Sequence, residues 1–305
     1  YNCYRDFAAS FILIGREARR PGIYLLEQTL VQTLKYEFVD LAAEIALRLR
    51  LISRVIGNSE MHEKYSKIHR EYEEKRRLEM LGLDYVEKLI NYYFVRRSPN
   101  LEIHKLATTY YDELLSLAKI ADTSQFYSYT AQVGIIKCLS VNNCKEALII
   151  CEDTLEILGS RPNTNRAALS FIGLQKIACL TQLRVFDGEA EKTIAFCFSL
   201  EEEGNFNWFR THELHLHYCL FAGKFEEALV VFENATKHGK FESLGGAVRD
   251  NWHIYGGYLH LLAALGKLEI TKVEEIVGTF RYGKLSNEIE VLDKDKLGMN
   301  IPLIF

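Results

Sequence analysis

A chain of 305 residues is longer than one compact core usually fills, so it is either two domains or an elongated repeat array. Hydrophobic residues at 48% and charged residues at 26% are the balance of a folded protein, and the net charge of −4 argues against a nucleic-acid grip built on overall positive charge. With only 4 prolines and long stretches free of turn clusters, the expected class is all-α.

The first apolar run, "FAASFILIG" at 7–15, is too short for the roughly 18 residues that cross a bilayer. Arg16, Arg19 and Arg20 follow it, whereas a signal peptide carries its charges in front. No membrane partner is expected. The 7 cysteines form no CxxC pair, and a helical protein of this size needs no disulfide staple; they read as reduced core thiols of a cytoplasmic protein. A chain that starts at Tyr1 rather than methionine reads either as trimmed or as an interior fragment, so the absence of a targeting segment carries little weight.

After a break at "RRPG" (19–22), "LVQTLKYEFVDLAAEIALRLR" reads as a first, divergent helical hairpin with Phe38 in the turn and Ala42 at the helix crossing. In "MHEKYSKIHREYEEKRRLEM", Met61, Tyr65, Ile68 and Tyr72 recur at steps of 4, 3 and 4, the stripe of a long amphipathic helix. Its other faces mix acids and bases and read as a solvated, ion-paired surface. These segments form an expected N-terminal helical region, 1–98, ended by Pro99, which presets entry to the next helix near Leu101. The tyrosines of "NYYFVRR" and "TTYYDELL" sit at helical spacing and read as packing residues rather than a base-stacking platform.

From 99 to 283 the sequence repeats. Aligning "NNCKEALIICEDTLEIL", "FDGEAEKTIAFCFSL", "AGKFEEALVVFENAT" and "LGKLEITKVEEIVGTF" places Ala147, Ala190, Ala228 and Thr271 at one position of successive units. Each unit is helix, tight turn, helix. A lone hairpin cannot bury its apolar stripe, so the units are expected to stack as a right-handed α-solenoid of antiparallel hairpins. Only a small side chain lets two helix axes approach to about 8–10 Å, which explains the recurring alanine. The glycine-rich "GGAVRDNWHIYGG" at 245–257 follows no strand and is expected to be a flexible connection between repeats. Residues 284–305 form the expected C-terminal tail or the start of a further unit.

"AGKFEEALVVFENA" resembles the turn and second helix of a tetratricopeptide repeat, with Gly223 in the turn, Phe225 packed in it, Ala228 at the crossing, and Phe232 and Ala235 following. The tail "LDKDKLGMNIPLIF" is similar to the end of uncharacterised bacterial proteins with such repeats, which implies no activity. The departures are units longer than the family's 34 residues, no closing proline, Asp187 where an aromatic belongs, and Thr271 for alanine. The resemblance implies a degenerate tetratricopeptide-like solenoid whose concave face holds a protein or peptide, with no catalysis and no cofactor.

"HELHLHYC" at 212–219 tests that reading. A zinc protease needs His-Glu-x-x-His, and His212 to His215 is one residue short. His212, His215 and Cys219 do share a helix face, and a metal-dependent enzyme using all three is one alternative function. In the repeat register they correspond to Leu174, Ile177 and Thr181 one unit earlier and to Tyr255, Tyr258 and Leu262 one unit later, so they are expected to pack within the hairpin. No metal site is therefore assigned. Arg210, Glu213, His217 and Phe221 lie on a different face and are expected to contact a partner, together with Gln132, Gln175, His253 and His260 at corresponding positions. A second alternative is a ligand- or peptide-sensing regulatory module of a larger protein. There is no GxxxxGK[ST] loop and no GxSxG elbow.

Overall fold

The structure is a computed structural model that describes residues 2–96, 100–161 and 165–279. These contain 13 α-helices, one 3-10 turn and no strand, so the all-α expectation holds for the described residues. By contact density the chain divides into two compact units, Tyr1–Asn142 with Asp153–Ala168, and Asn143–Glu152 with Leu169–Phe305. The expected boundary at 98–99 falls inside the first unit, and the expected tail 284–305 lies outside the described residues.

The first unit comprises α1 (Asn2–Gly15), α2 (Arg19–Lys35), α3 (Val39–Val55), α4 (Ser59–Arg96), α5 (Asn100–Ala121) and α6 (Ser124–Leu139). Chain neighbours pack on one another, and α4 also packs along α6. The stripe read from the sequence does the expected work: Tyr65 is 2% exposed among Leu26, Leu30, Ala42, Ile45 and Leu49, with Met61, Ile68 and Tyr72 around it. The opposite face of α4 carries the one-turn ion pair Arg77–Glu74, while Lys75, paired with Glu71, lies along the edge of the stripe over the Tyr72 ring. The tyrosines pack: Tyr85 and Tyr110 stack with centroids 3.8 Å apart, and Gly134 leaves room for the Tyr111 ring, which a Cβ there would meet at 2.5 Å.

Polar ties close this unit. Thr123 caps α6 by accepting from the Phe126 amide, and its hydroxyl donates to Glu79 at 2.6 Å. Glu37 accepts from the amide and hydroxyl of Ser124, both at 2.7 Å, and from Arg161 at 2.8 Å. A neighbouring polar cleft of about 580 Å³ is bordered by Glu37, Asp40, Arg76, Glu79 and Tyr129.

The second unit holds the start of α7 (Cys144–Gly159), most of α8 (Arg166–Gln182), and α9 (Gly188–Leu200), α10 (Phe206–Ala222), α11 (Phe225–Thr236), α12 (Gly246–Ala264) and α13 (Ile270–Val277). Its core runs from Leu174 and Ile177 through Phe209, Leu216 and Tyr218 to Trp252, Leu259 and Val273. Asp187 and Asn205 cap α9 and α10 by accepting backbone amides, each cap contributing on the order of 1 kcal/mol.

Six of the turns between helices close by the same device. Glu17, Glu37, Gly57, Arg184, Gly223 and Gly266 all have positive φ. Each donates its amide three residues back, while the next residue donates five back, as in Lys224 to Cys219 at 2.9 Å. This double closure satisfies the orphan carbonyls at a helix end and reverses the chain in two residues.

The small residue expected at each crossing falls on the fourth residue of α3, α7 and α11 and the third of α9. Ala42, Ala147, Ala190 and Ala228 are all 0% exposed. Thr271 is a correction. It is exposed and its hydroxyl donates to Glu269, because α13 starts only at Ile270; the fourth residue, Val273, is the buried one. Residues 245–257 are a second correction. They form no flexible connection but enter α12 at Gly246, since Trp252, Tyr255 and Leu259 supply a buried helical stripe. Gly256 serves close approach there: an added Cβ would lie 2.7 Å from Val277.

Candidate functional site

In the second unit, α8, α10 and α12 border an apolar cleft of about 430 Å³. From α10 come Leu214, His217 and Phe221; from α12 come Tyr255, Tyr258, Leu261 and Leu262; Thr181 of α8 is among the few polar groups. The rim is unusually greasy for a surface, with Phe221, Tyr258 and Leu261 at 50%, 40% and 54% exposure. The i, i+4 and i, i+3 spacing of these residues puts each set on one helix stripe.

Below this rim lies a satisfied polar network. Glu213 is 3% exposed, and its carboxylate pairs with Arg210, accepts from the Tyr255 hydroxyl at 3.1 Å, and accepts from Asn251 at 3.4 Å. Burial, reinforced by the Glu213 charge, pushes the Tyr255 phenol well above its ordinary range, so it stays a donor. His217 stands edge-on to the Tyr255 ring at 4.9 Å, and burial lowers its imidazole pKa, keeping it neutral. The cleft therefore presents apolar surface and a neutral imidazole, with its carboxylate already engaged.

The expected partner-contacting residues separate on this geometry. His217 and Phe221 reach the cleft. Glu213 and Arg210 do not line it; they pair with each other beneath Tyr255, as a carboxylate this buried requires. Gln175 is buried at 3% within α8, and His260 at 4% has Nε2 2.8 Å from the Gly278 carbonyl. His253 is exposed on α12 but is not on the cleft wall. Gln132 belongs to the first unit, where its amide donates to Ser128 at 3.3 Å. The wall residues Tyr258 and Leu262 occupy positions expected to pack inside the hairpin; the available signal was the row Tyr258, Leu261, Leu262, Leu265, too apolar for an ordinary solvated face.

The histidine helix also divides. His212 is a packing residue, but against α9 and its own helix rather than α11: it is 7% exposed, its Nδ1 lies 3.0 Å from the Trp208 carbonyl, and its ring sits against Trp208 and Phe198. Burial lowers its pKa to about 4. His215 faces α11, the second helix of its hairpin, as expected, and its Nε2 lies 3.2 Å from the Glu227 carboxylate. Cys219 is fully buried, and burial pushes its thiol up to about 12, which makes it a poor nucleophile at neutral pH. None of the seven cysteines is joined in a disulfide.

Comparison with known protein families, curated proteins and solved structures yields no match. Among the described residues, no helix is long and apolar enough to cross a membrane.

Proposed function

We propose that this chain is a non-catalytic binding module, a degenerate tetratricopeptide-like right-handed α-solenoid that takes an extended peptide or a helix of a partner protein. The observation that carries the reading is the cleft between α8, α10 and α12, with its exposed apolar rim over a satisfied polar floor. Contiguous exposed apolar surface on a folded protein marks a place that something else covers. Supporting the solenoid, positive-φ turn residues recur at Asn142, Arg184 and Gly223, each followed within five or six residues by the buried Ala147, Ala190 or Ala228. Binding would draw on burial of Phe221, Tyr258 and Leu261, at about 25 cal/mol per Å² of apolar surface, less the cost of ordering the peptide.

The test is a displayed library of extended and helical peptides panned against the purified chain. Enriched peptides carrying aromatic or aliphatic anchors should bind a Phe221→Ser, Leu261→Ser double variant at least about tenfold more weakly, since each truncated anchor of this kind costs 1 kcal/mol or more. The unfolding midpoint should stay unchanged, and His253→Ala should keep full affinity. Peptides that bind the double variant as tightly as the parent would refute the assignment.

A further inference from the structure

One face of α10 is unrelated to the cleft and looks toward α11. His215 and Cys219 stand one helical turn apart on it, and Glu227 lies in the first turn of α11. An imidazole nitrogen, the thiol sulfur and a carboxylate oxygen of these residues all lie within 4.8 Å of one another. From this juxtaposition we infer a binding site for a divalent transition-metal ion of the zinc type, held by His215, Cys219 and Glu227 across the α10–α11 hairpin.

The backbone makes the three donors converge. The Gly223 turn holds α11 against α10, and Ala228, next to Glu227, is fully buried at the close approach. In a tetrahedral zinc site with bonds of about 2.0–2.3 Å, neighbouring donors stand roughly 3.3–3.8 Å apart. Reaching that from the present spacing, within 4.8 Å, takes movement of the donor atoms on the order of 1 Å. Access is one-sided: the Glu227 side chain is 49% exposed and His215 19%, while Cys219 is buried beneath them. An ion entering from solvent would replace the His215–Glu227 hydrogen bond with two metal bonds and leave its fourth position to water. Lys224, which flanks the site, is held by Glu191, so its charge is largely balanced.

The donor set selects the class of ion. A thiolate with an imidazole and one carboxylate suits zinc, cobalt or nickel and disfavours magnesium and calcium, which want oxygen ligands. Binding replaces the thiol proton: the Cys219 S–H bond breaks, the sulfur lone pair goes to the metal, and one proton passes to water. His215 binds as the neutral imidazole and releases nothing. His212 contributes no ligand, since its Nδ1 is engaged with the Trp208 carbonyl and its ring packs between aromatics.

The test titrates the reduced, chelator-stripped chain with Zn2+ against a chromophoric competitor, and with Co2+ by absorbance. One equivalent should bind, and cobalt should give a thiolate charge-transfer band with the visible bands of tetrahedral coordination. Cys219→Ser should abolish the charge-transfer band. His215→Ala and the more exposed Glu227→Ala, which spares the core, should each weaken zinc by more than about 100-fold, the upper range for losing a mere outer-shell partner. His212→Ala and the Phe221→Ser, Leu261→Ser cleft variant should bind zinc like the parent. The site is overturned if no stoichiometric binding occurs at micromolar metal. It is equally overturned if the band survives Cys219→Ser, or if affinity is unchanged in both His215→Ala and Glu227→Ala with circular dichroism showing them folded.

Discussion

Glu79, on the buried side of α4, should destabilise the first unit at alkaline pH. Burial pushes its carboxyl up to about 7, the nearby charges of Asp40 and Glu37 push the same way, and only Lys75 and the Thr123 hydroxyl oppose them. A folded pKa raised above the unfolded 4.5 means the native state holds the extra proton between pH 4.5 and about 7. Stability therefore falls as pH rises through that window, and the whole penalty is present above it. The gap is worth at most roughly 3 kcal/mol at about 1.4 kcal/mol per tenfold change in proton affinity. Partial solvent contact of the carboxylate reduces this to ~1.5 kcal/mol. Glu79→Gln removes the charge but keeps an oxygen for the Thr123 hydroxyl, which donates at 2.6 Å. Denaturant unfolding followed by circular dichroism should show the variant ~1.5 kcal/mol more stable than the parent at pH 8 and equal to it at pH 4.5. Equal stabilities at pH 8 would refute the assignment of a protonated, desolvated carboxyl.

Ala228→Leu should force α10 and α11 apart and cost about 1–3 kcal/mol in the same unfolding assay, because Ala228 has no exposed surface to grow into; a neutral result would dissolve the close crossing. Glu213→Ala leaves Arg210, only 13% exposed, without its carboxylate and should cost about 3–5 kcal/mol; a loss of peptide affinity at full stability would instead make Glu213 a contact residue. His212, with its pKa held near 4, binds fewer protons folded than unfolded, so its contribution to stability is present above the unfolded value of 6.5 and is lost as pH falls toward 4. Replacing it with phenylalanine should flatten the melting-temperature profile between those limits, and an unchanged profile would place the acid sensitivity elsewhere.

Much of the local architecture was legible because helix periodicity and small-residue spacing are properties of neighbouring residues. The stripe Met61, Tyr65, Ile68, Tyr72 and the alanines 42, 147, 190 and 228 sit where those spacings imply. Reading failed where a turn shifted the count. Two more residues before α13 moved the crossing from Thr271 to Val273. Glu17, Glu37 and Arg184 adopt a backbone region that normally signals glycine, so three tight closures had no letter to announce them. In the cleft, His217 and Phe221 were legible from the α10 face. The role of Glu213 was not, because whether a carboxylate meets a ligand or a buried arginine depends on Tyr255 and Asn251, about forty residues away. Glu227 was hidden from the metal reading for the same reason: a chain reversal separates it from His215 and breaks the helical count.

The separation of rim from floor in the cleft has a consequence for how such a molecule can diversify. Arg210, Glu213 and Tyr255 are fixed by their bonds to one another, whereas Phe221, Tyr258 and Leu261 project from helices that are held by other residues. Exchanging exposed side chains of that kind usually moves fold stability by no more than about 0.5 kcal/mol. Under the proposed binding role, the rim can therefore change its recognition chemistry one position at a time without passing through an unfolded intermediate sequence.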